Sequence, residues 1–402
     1  MIYLETPKKF RPLVTQANHV AREVFRPISR KYDEAEHEYP KELDLLASLI
    51  DGMNEGSGMG AGAAGVSSGE EETSDGNRNG SNLSTVLSII ELCWGDVGLL
   101  LSMPGQGLGN SAIASVATGE QLEHYGGKWA AMAITEPEAG SDSASIRTTA
   151  ELDGDEYVLN GEKIFVTSGD RADLIVVWAS LDRSAGRAAI KSFIVERDNP
   201  GLKLDRLEHK LGIRASDTAN FTLQDCRVPK EALLGSPEVD VKKGFAGVMK
   251  TFDNTRPLVA GMALGVTRAA LEETKRQLES AGVEIDYDSP AMRQPAAAAR
   301  YLEMEADYEA ALMLTLQAAW MADNRKPNSL EASMAKAKAG RTGVDVTLGC
   351  VELCGSIGLG ESSLLEKWSR DAKILDIFEG TQQIQLLIIA RQLLGKTSAE
   401  LK

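Results

Sequence analysis

The hydrophobic period of this chain changes twice, and that succession limits it to folds that join helical and sheet layers. Phe10, Leu13, Val14, Ala17, Val20 and Val24 recur at helical spacing, and Leu83 to Leu101 supplies a second apolar helical stretch. From Met132 the period shifts toward two. Asp153-Gly154 and Asn160-Gly161 read as hairpin turns flanked by Tyr157, Leu159, Ile164 and Val166, which alternate with polar residues. Leu174 to Ala179, Ile190 to Val195 and Phe221 to Leu223 are short apolar runs suited to buried strands. After Phe245 the helical pattern returns through Met249, Leu258, Met262, Val266 and Leu271, then through Leu302 to Met321 and Val344 to Leu353. The expected class is α+β: an N-terminal helical domain over 1–129, a middle β domain of barrel or sandwich type over 130–240, and a C-terminal helical domain over 241–402. At 402 residues the chain is long enough for two or three subdomains around a large core.

Composition narrows the partners. A formal net charge of -16 argues against nucleic acid or an anionic membrane surface. The apolar runs read as too short to span a bilayer. Met1 to Leu4 leads into Pro7-Lys8-Lys9 without the order of a signal peptide, so a cytoplasmic protein is expected. Cys93, Cys226, Cys350 and Cys354 form no paired metal framework and read as buried reduced thiols. His19, His37, His124 and His209 are scattered, without metal-site spacing, and read as surface or capped histidines. No Ser-His-Asp order with an elbow motif appears, and no Walker loop is present. The segment 51–82 is dense in Gly, Ser, Glu and Asn and reads as a loop. Within it Gly60-Ala61-Gly62-Ala63-Ala64-Gly65 matches a dinucleotide fingerprint but lacks the strand before it and the helix after it that the motif needs.

The most chemically pointed stretch is Asp376-Ile377-Phe378-Glu379-Gly380-Thr381-Gln382-Gln383. Helical spacing runs up to Phe378 and resumes at Ile384, so Gly380 and Thr381 mark a break, a helix end followed by a cap. Glu379 is thereby left near a helix C-terminus among Ile377, Phe378 and Ile384. Dipole and desolvation there disfavour its charged form, and a carboxylate of raised pKa is a useful base.

Further strings are Met132-Ala133-Ile134-Thr135-Glu136-Pro137-Glu138-Ala139-Gly140-Ser141-Asp142, Lys163-Ile164-Phe165-Val166-Thr167-Ser168-Gly169 and Lys210 to Thr218. With the Glu379 segment, and in the same order, they resemble the acyl-CoA dehydrogenase family, clearly from about Ala130 to the C-terminus and more weakly before it. The resemblance implies a C-terminal four-helix bundle, FAD between that bundle and the β domain, and homotetramers. It also implies oxidation of an acyl-CoA thioester to a trans-2-enoyl-CoA, with an electron-transfer flavoprotein as acceptor.

Glu379 matches the family's catalytic base, which takes the α-proton; its backbone N–H and a flavin ribityl hydroxyl are the implied donors to the thioester oxygen. Some relatives carry the base at the position of Thr255, so a base at Glu379 alone implies the straight-chain layout. For the cofactor, the resemblance implicates Met132, Ile134, Thr135, Gly140, Ser141, Phe165, Thr167, Gln294, Glu352, Gly355, Thr381 and Gln383. For the substrate, it implicates Ser141, Phe252, Asp253, Arg256 and Gly380. No metal is implied. The competing structural reading of Asp253 is a helix-start cap, and that of Arg256 a surface residue.

Two departures bear on the cofactor's distal half. Relatives carry Arg-Lys-Thr-Phe-Gly where this chain reads Glu279-Ser280-Ala281-Gly282-Val283, and a Gln stands in them where this chain has Glu352. Both changes weaken anion binding. They motivate a second expectation, a catalytically degenerate partner subunit in a mixed assembly; a third is an acyl-CoA oxidase that passes electrons to oxygen.

Overall fold

Helical spacing at the N-terminus produces α1 (Arg11–Val20) and α2 (Arg26–Ala35), joined through a π-helical turn at Ala21–Phe25 that puts the Phe25 ring wholly inside the protein. Pro12 and Pro27 fall in the first turns of α1 and α2, where a missing N–H costs little. The structure is a computed structural model. It describes residues 6–47, 79–105, 108–239, 246–397 and 400, with the side chains of 246–254 outside that description. Most of the Gly/Ser-rich loop, with Gly60 to Gly65, lies outside the described residues, whereas Ser81 and Asn82 already belong to α3 (Ser81–Gly95). Asp96 breaks the apolar stretch and caps α4 (Val97–Leu101) by accepting from Leu99 N at 2.8 Å. Helices α5 (Leu108–Val116) and α6 (Gly119–Tyr125) lead into the sheet.

The middle of the chain forms one curled, seven-stranded sheet in the order β1-β4-β2-β3-β7-β6, with β5 also paired to β4. Its strands are β1 (Ala130–Ala133), β2 (Thr149–Asp153), β3 (Glu156–Thr167), β4 (Leu174–Ser180), β5 (Ile190–Glu196), β6 (Leu202–Leu207) and β7 (Thr218–Pro229). Every residue of β4 is buried, as its unbroken apolar run requires. The Asp153-Gly154 turn joins β2 to β3, with Gly154 at φ 65. Asn160-Gly161 is not a turn. It lies inside β3 where the register against β7 shifts, and Thr148 stands so close that a Cβ on residue 161 would meet its side chain at 2.3 Å. A turn-type pair here serves a bulge.

The C-terminal helices are α7 (Ala246–Ser280), α8 (Ala296–Asp323), α9 (Ser329–Leu359), α10 (Leu365–Leu375) and α11 (Gln382–Leu394). Helix α7 starts well before Asp253, which is therefore not its cap; Pro257 sits in its interior and removes one rung of the hydrogen-bond ladder. The segment that stands in place of the family's basic grip is a helix stop. Gly282 takes φ 76, Val283 N donates to Leu278 O at 2.9 Å, and Val283 packs on the core. By length and composition α9 could cross a bilayer, contrary to the expectation of only short apolar runs. Packing accounts for that apolar character, since Ala335, Ala339, Val346 and Cys350 fill the core among α7, α8 and α10. The free thiols of Cys93, Cys226 and Cys350 are buried.

One apolar core serves both sets of helices. Phe25, Tyr32, Ile89 and Trp94 pack with Leu258, Leu264, Tyr301, Met304, Trp368 and Leu375, while the sheet and α5 keep a core of their own. At the junction lies a buried charge network. The Lys367 ammonium donates to Asp96 Oδ2 at 2.7 Å and to Asp371 Oδ2 at 2.6 Å, and all three side chains are essentially unexposed. Ser29 Oγ also donates to Asp96, and Ile213 N, from the segment between β6 and β7, donates to Asp371 Oδ1 at 2.5 Å. Burial opposes the charge on Lys367, but the two carboxylates outweigh it and hold the ammonium above its ordinary range. Removing the ammonium leaves the two carboxylates without the cation that bridges them. Lys367→Met is expected to cost about 3–5 kcal/mol of unfolding free energy, read from urea denaturation.

Candidate active site

Helix α10 ends at Leu375, three residues before the spacing suggested, and the chain turns a corner before α11. Ile377 N and Phe378 N both donate to Ile374 O, Gln382 N donates to Asp376 O at 3.1 Å, and the Thr381 side chain caps α11 by accepting from Ile384 N. The reversal is made by two consecutive left-handed residues, Glu379 at φ 57 and Gly380 at φ 94. For a glutamate that conformation is strained, and such outliers gather where a fold must aim a group. Gly380 takes a conformation that L side chains rarely adopt, and a Cβ there would also lie 2.4 Å from Gln385 Nε2, so a side chain would strain the corner.

Glu379 is half-buried, and its carboxylate accepts a hydrogen bond from Thr255 Oγ1 at 2.8 Å. Thr255, where relatives of the other layout carry their base, thus supplies a hydroxyl to this one. Burial pushes the Glu379 pKa above the ordinary carboxylate range, opposed by the Thr255 hydrogen bond and by the charges of Arg256 and Lys336. Among the described residues the Glu379 N–H has no acceptor. Arg256 is buried, at 3% exposure, which overturns its reading as a surface residue.

Sequence reasoning missed Lys336 and Gln385. Lys336 is completely buried on α9, and its Nζ donates to Gly380 O at 2.7 Å. Burial lowers it to about 8, against the opposing pull of Asp376 and Glu379. Buried Gln385 donates to both Glu379 O, at 3.1 Å, and Gly380 O, at 3.2 Å. A lysine among alanines and glycines, within Ala335-Lys336-Ala337-Lys338-Ala339-Gly340, was the available signal. It was lost because Lys338, two residues on, looks the same and instead pairs with Asp307 at the surface.

The strings around Thr135 and Phe165 meet side by side. Ile164 N donates to Thr135 O at 2.9 Å, and Lys163 Nζ reaches Ile134 O at 3.1 Å and Glu136 Oε1 at 2.6 Å. Glu136 also accepts from Arg147 N and Thr148 N, so a buried ion pair pins the 134–148 loop to β3. Burial lowers Lys163 to about 8, and burial likewise opposes the charge of Glu136, yet Lys163 and the hydrogen bonds hold that carboxylate below its ordinary range. Phe165 takes φ 59 and leaves its ring 59% exposed. Thr135 and Thr167 are half-buried, Gly140 and Ser141 exposed, and among the described residues none of the three hydroxyls is engaged in a hydrogen bond. Met132 and Ile134 pack their side chains against Ala139, Ile146, Trp178 and Ile190.

Other expected residues are not gathered here. The Gln294 amide staples the α7–α8 connection, accepting from Asp286 N and donating to Asp286 O and Ser289 O. Glu352 and Gly355 are exposed near the far end of α9, where Gly355 at φ 54 interrupts the helix. That is roughly 24 to 28 Å along the axis from Lys336. Gln383 is exposed on the first turn of α11, and the side chains of Phe252 and Asp253 lie outside the described residues.

Comparison with known proteins agrees with this arrangement. Residues 131–226 match the acyl-CoA dehydrogenase middle domain, and residues 242–394 the acyl-CoA dehydrogenase C-terminal domain. The short-chain specific acyl-CoA dehydrogenase of Bos taurus is 33% identical over 97% of this chain and 91% of its own. That of Clostridium acetobutylicum is 35% identical over 78% of this chain and 83% of its own. Among solved structures, butyryl-CoA dehydrogenase from Megasphaera elsdenii superposes with a TM-score of 0.82 at 29% identity, covering 98% of this chain and 100% of that one. A chain from the electron transferring flavoprotein structure of Acidaminococcus fermentans gives 0.83 at 30% identity, covering 98% and 100%. With its helices, curled sheet and helical C-terminal domain, the chain belongs to the acyl-CoA dehydrogenase family and is an oxidoreductase.

Thr255→Val removes a hydrogen bond made to the charged carboxylate, so the Glu379 pKa should rise. The proton affinity of Glu379 is expected to increase by up to about tenfold, followed by NMR titration of labelled glutamate; an unchanged or lower pKa would contradict the geometry.

Proposed function

We propose that this chain is a straight-chain acyl-CoA dehydrogenase in which Glu379 removes the α-proton of a CoA thioester. One observation carries the reading: a single left-handed residue presents both a carboxylate of raised pKa and an N–H with no acceptor among the described residues. Proton abstraction beside a carbonyl needs that pair, a base for the carbon-bound hydrogen and a donor for the charge that develops on oxygen. Thr255 orients the base, and Lys336 and Gln385 fix the corner so that base and donor keep their relative placement.

The surface around β3 fits a flat ring with polar edges. Phe165 offers an uncovered aromatic face beside the unengaged hydroxyls of Thr135, Ser141 and Thr167, and at Gly140 a side chain would meet nothing within 4 Å. We assign these residues to FAD, which when bound supplies the acceptor for the β-hydride that no side chain provides. Thr381 and Gln383 are assigned to its adenosine diphosphate half, with Gln294, Glu352 and Gly355 reaching the cofactor of a neighbouring copy in a homotetramer. Phe252, Asp253, Arg256 and Gly380 are assigned to the acyl-CoA, with electron-transfer flavoprotein as acceptor. The short-chain names of the relatives support a short acyl group.

Purified protein is expected to show a flavin spectrum that butyryl-CoA bleaches, with little peroxide released in the absence of a dye acceptor. Glu379→Gln should retain the flavin and abolish bleaching; turnover by that variant would place the base elsewhere. Lys336→Met removes a positive charge that favours the ionised base, so the acid limb of the kcat/KM profile should move to higher pH. An unmoved limb would reduce Lys336 to a packing residue.

A further inference from the structure

Of the four histidines in the chain, two meet. His37 follows the end of α2, His209 follows β6, and their rings approach to 4.8 Å between centroids at 43°. The expectation of scattered histidines therefore fails in three dimensions. Glu36 completes the group: its Oε2 lies 2.8 Å from His209 Nδ1, and one ligand-type atom from each of the three residues falls within 4.8 Å of the others. Two of the residues have a second polar atom tied to the facing backbone. Glu36 Oε1 accepts from Lys210 N at 2.9 Å, and His37 Nε2 lies 2.9 Å from Glu208 O. Outer bonds of this kind orient carboxylate and imidazole ligands around a cation. The backbone is also strained to place the ring, since His37 takes φ 67.

From this cluster we propose that Glu36, His37 and His209 form a binding site for a divalent transition cation with the ligand preference of zinc, clasping the end of α2 to the segment after β6. Two imidazoles and a carboxylate are the donor set of open zinc sites, in which water completes the four. Ligand atoms in such a site stand about 3.3 Å apart. A small closure is needed here, and His209, with its side chain 83% exposed, has room to make it. The cation would take the place of the hydrogen now shared by Glu36 and His209. A simple ion pair accounts for that contact but gives no reason for a third ligand-type side chain held beside it in a strained conformation.

Zinc chloride titrated calorimetrically into the full-length, chelator-treated protein is expected to bind at one ion per chain and to raise Tm. His37→Ala and His209→Ala should each weaken binding by at least about tenfold, whereas His19→Ala and His124→Ala should leave it unchanged. His209→Gln, a change at an exposed side chain, keeps the test available if His37→Ala does not fold, and cobalt(II) absorption gives an independent reading of the ligand geometry. No saturable binding by the parent chain, or binding that survives substitution of both His37 and His209, overturns the proposal.

Discussion

The ammonium of Lys367 is the point on which the three parts of the chain converge. It holds Asp96 at the start of α4 and Asp371 on α10, and Asp371 in turn receives Ile213 N from the sheet region. Beside it the Arg26 guanidinium lies between the Trp94 and Trp368 rings, 3.8 and 4.6 Å from their centroids, and its charge also acts on Asp96. Each group alone would be costly to bury, and together they are tolerated because their hydrogen bonds are nearly all made. The corner that carries Glu379 begins one residue beyond the last turn of α10. Whatever fixes α10 against α3, α4 and the sheet therefore fixes the corner as well.

At the corner the same physics runs at a finer balance. Complete desolvation would protonate Glu379 at neutral pH and leave it useless as a base, whereas full solvation would return an ordinary carboxylate with little driving force for taking a proton from carbon. Burial raises the pKa, while the Thr255 hydroxyl and the charges of Arg256 and Lys336 restrain the rise. Lys336 has a second task, since its bond to Gly380 O ties down the carbonyl that follows two consecutive left-handed residues. The lysine is thus a mechanical tie and an electrostatic counterweight at once.

What could be read from the sequence was what local chemistry records. The two changes of period gave the succession of helices and strands, and Gly380 and Thr381 marked the corner because a glycine with positive φ and a capping threonine are chosen by their own backbone. What could not be read depends on partners distant along the chain. Thr255 and Glu379 are 124 residues apart, Lys336 and Gly380 are 44 apart, and Glu36 and His209 are 173 apart. The competing reading of Arg256 as a surface residue arose because a charged side chain in a polar string usually is one, and only the packing of α7 shows it buried. Asn160-Gly161 misled for the opposite reason. Its turn preference is genuine, but here the glycine serves a close approach, since Thr148 stands where a Cβ of residue 161 would be, at a register shift inside a long strand.

The altered distal segments follow from the length of α9. Lys336 near one end touches the Glu379 corner, while Glu352 and Gly355 lie roughly 24 and 28 Å further along the helix. Leu348, Ile357 and Leu359 on that part of α9 are exposed, as are Leu386, Leu387, Leu393 and Leu394 on α11. In the proposed homotetramer, the carboxylate of Glu352 would then approach the cofactor's phosphates with no basic partner from the segment where relatives carry Arg-Lys-Thr, because Gly282 and Val283 have made that segment a helix stop. Cofactor affinity in this chain would rest on the ring end, on Phe165 and the hydroxyls of Thr135, Ser141 and Thr167, more than on the pyrophosphate. Such binding should depend only weakly on ionic strength, because stacking and neutral hydrogen bonds are not screened by salt as a grip on phosphate is.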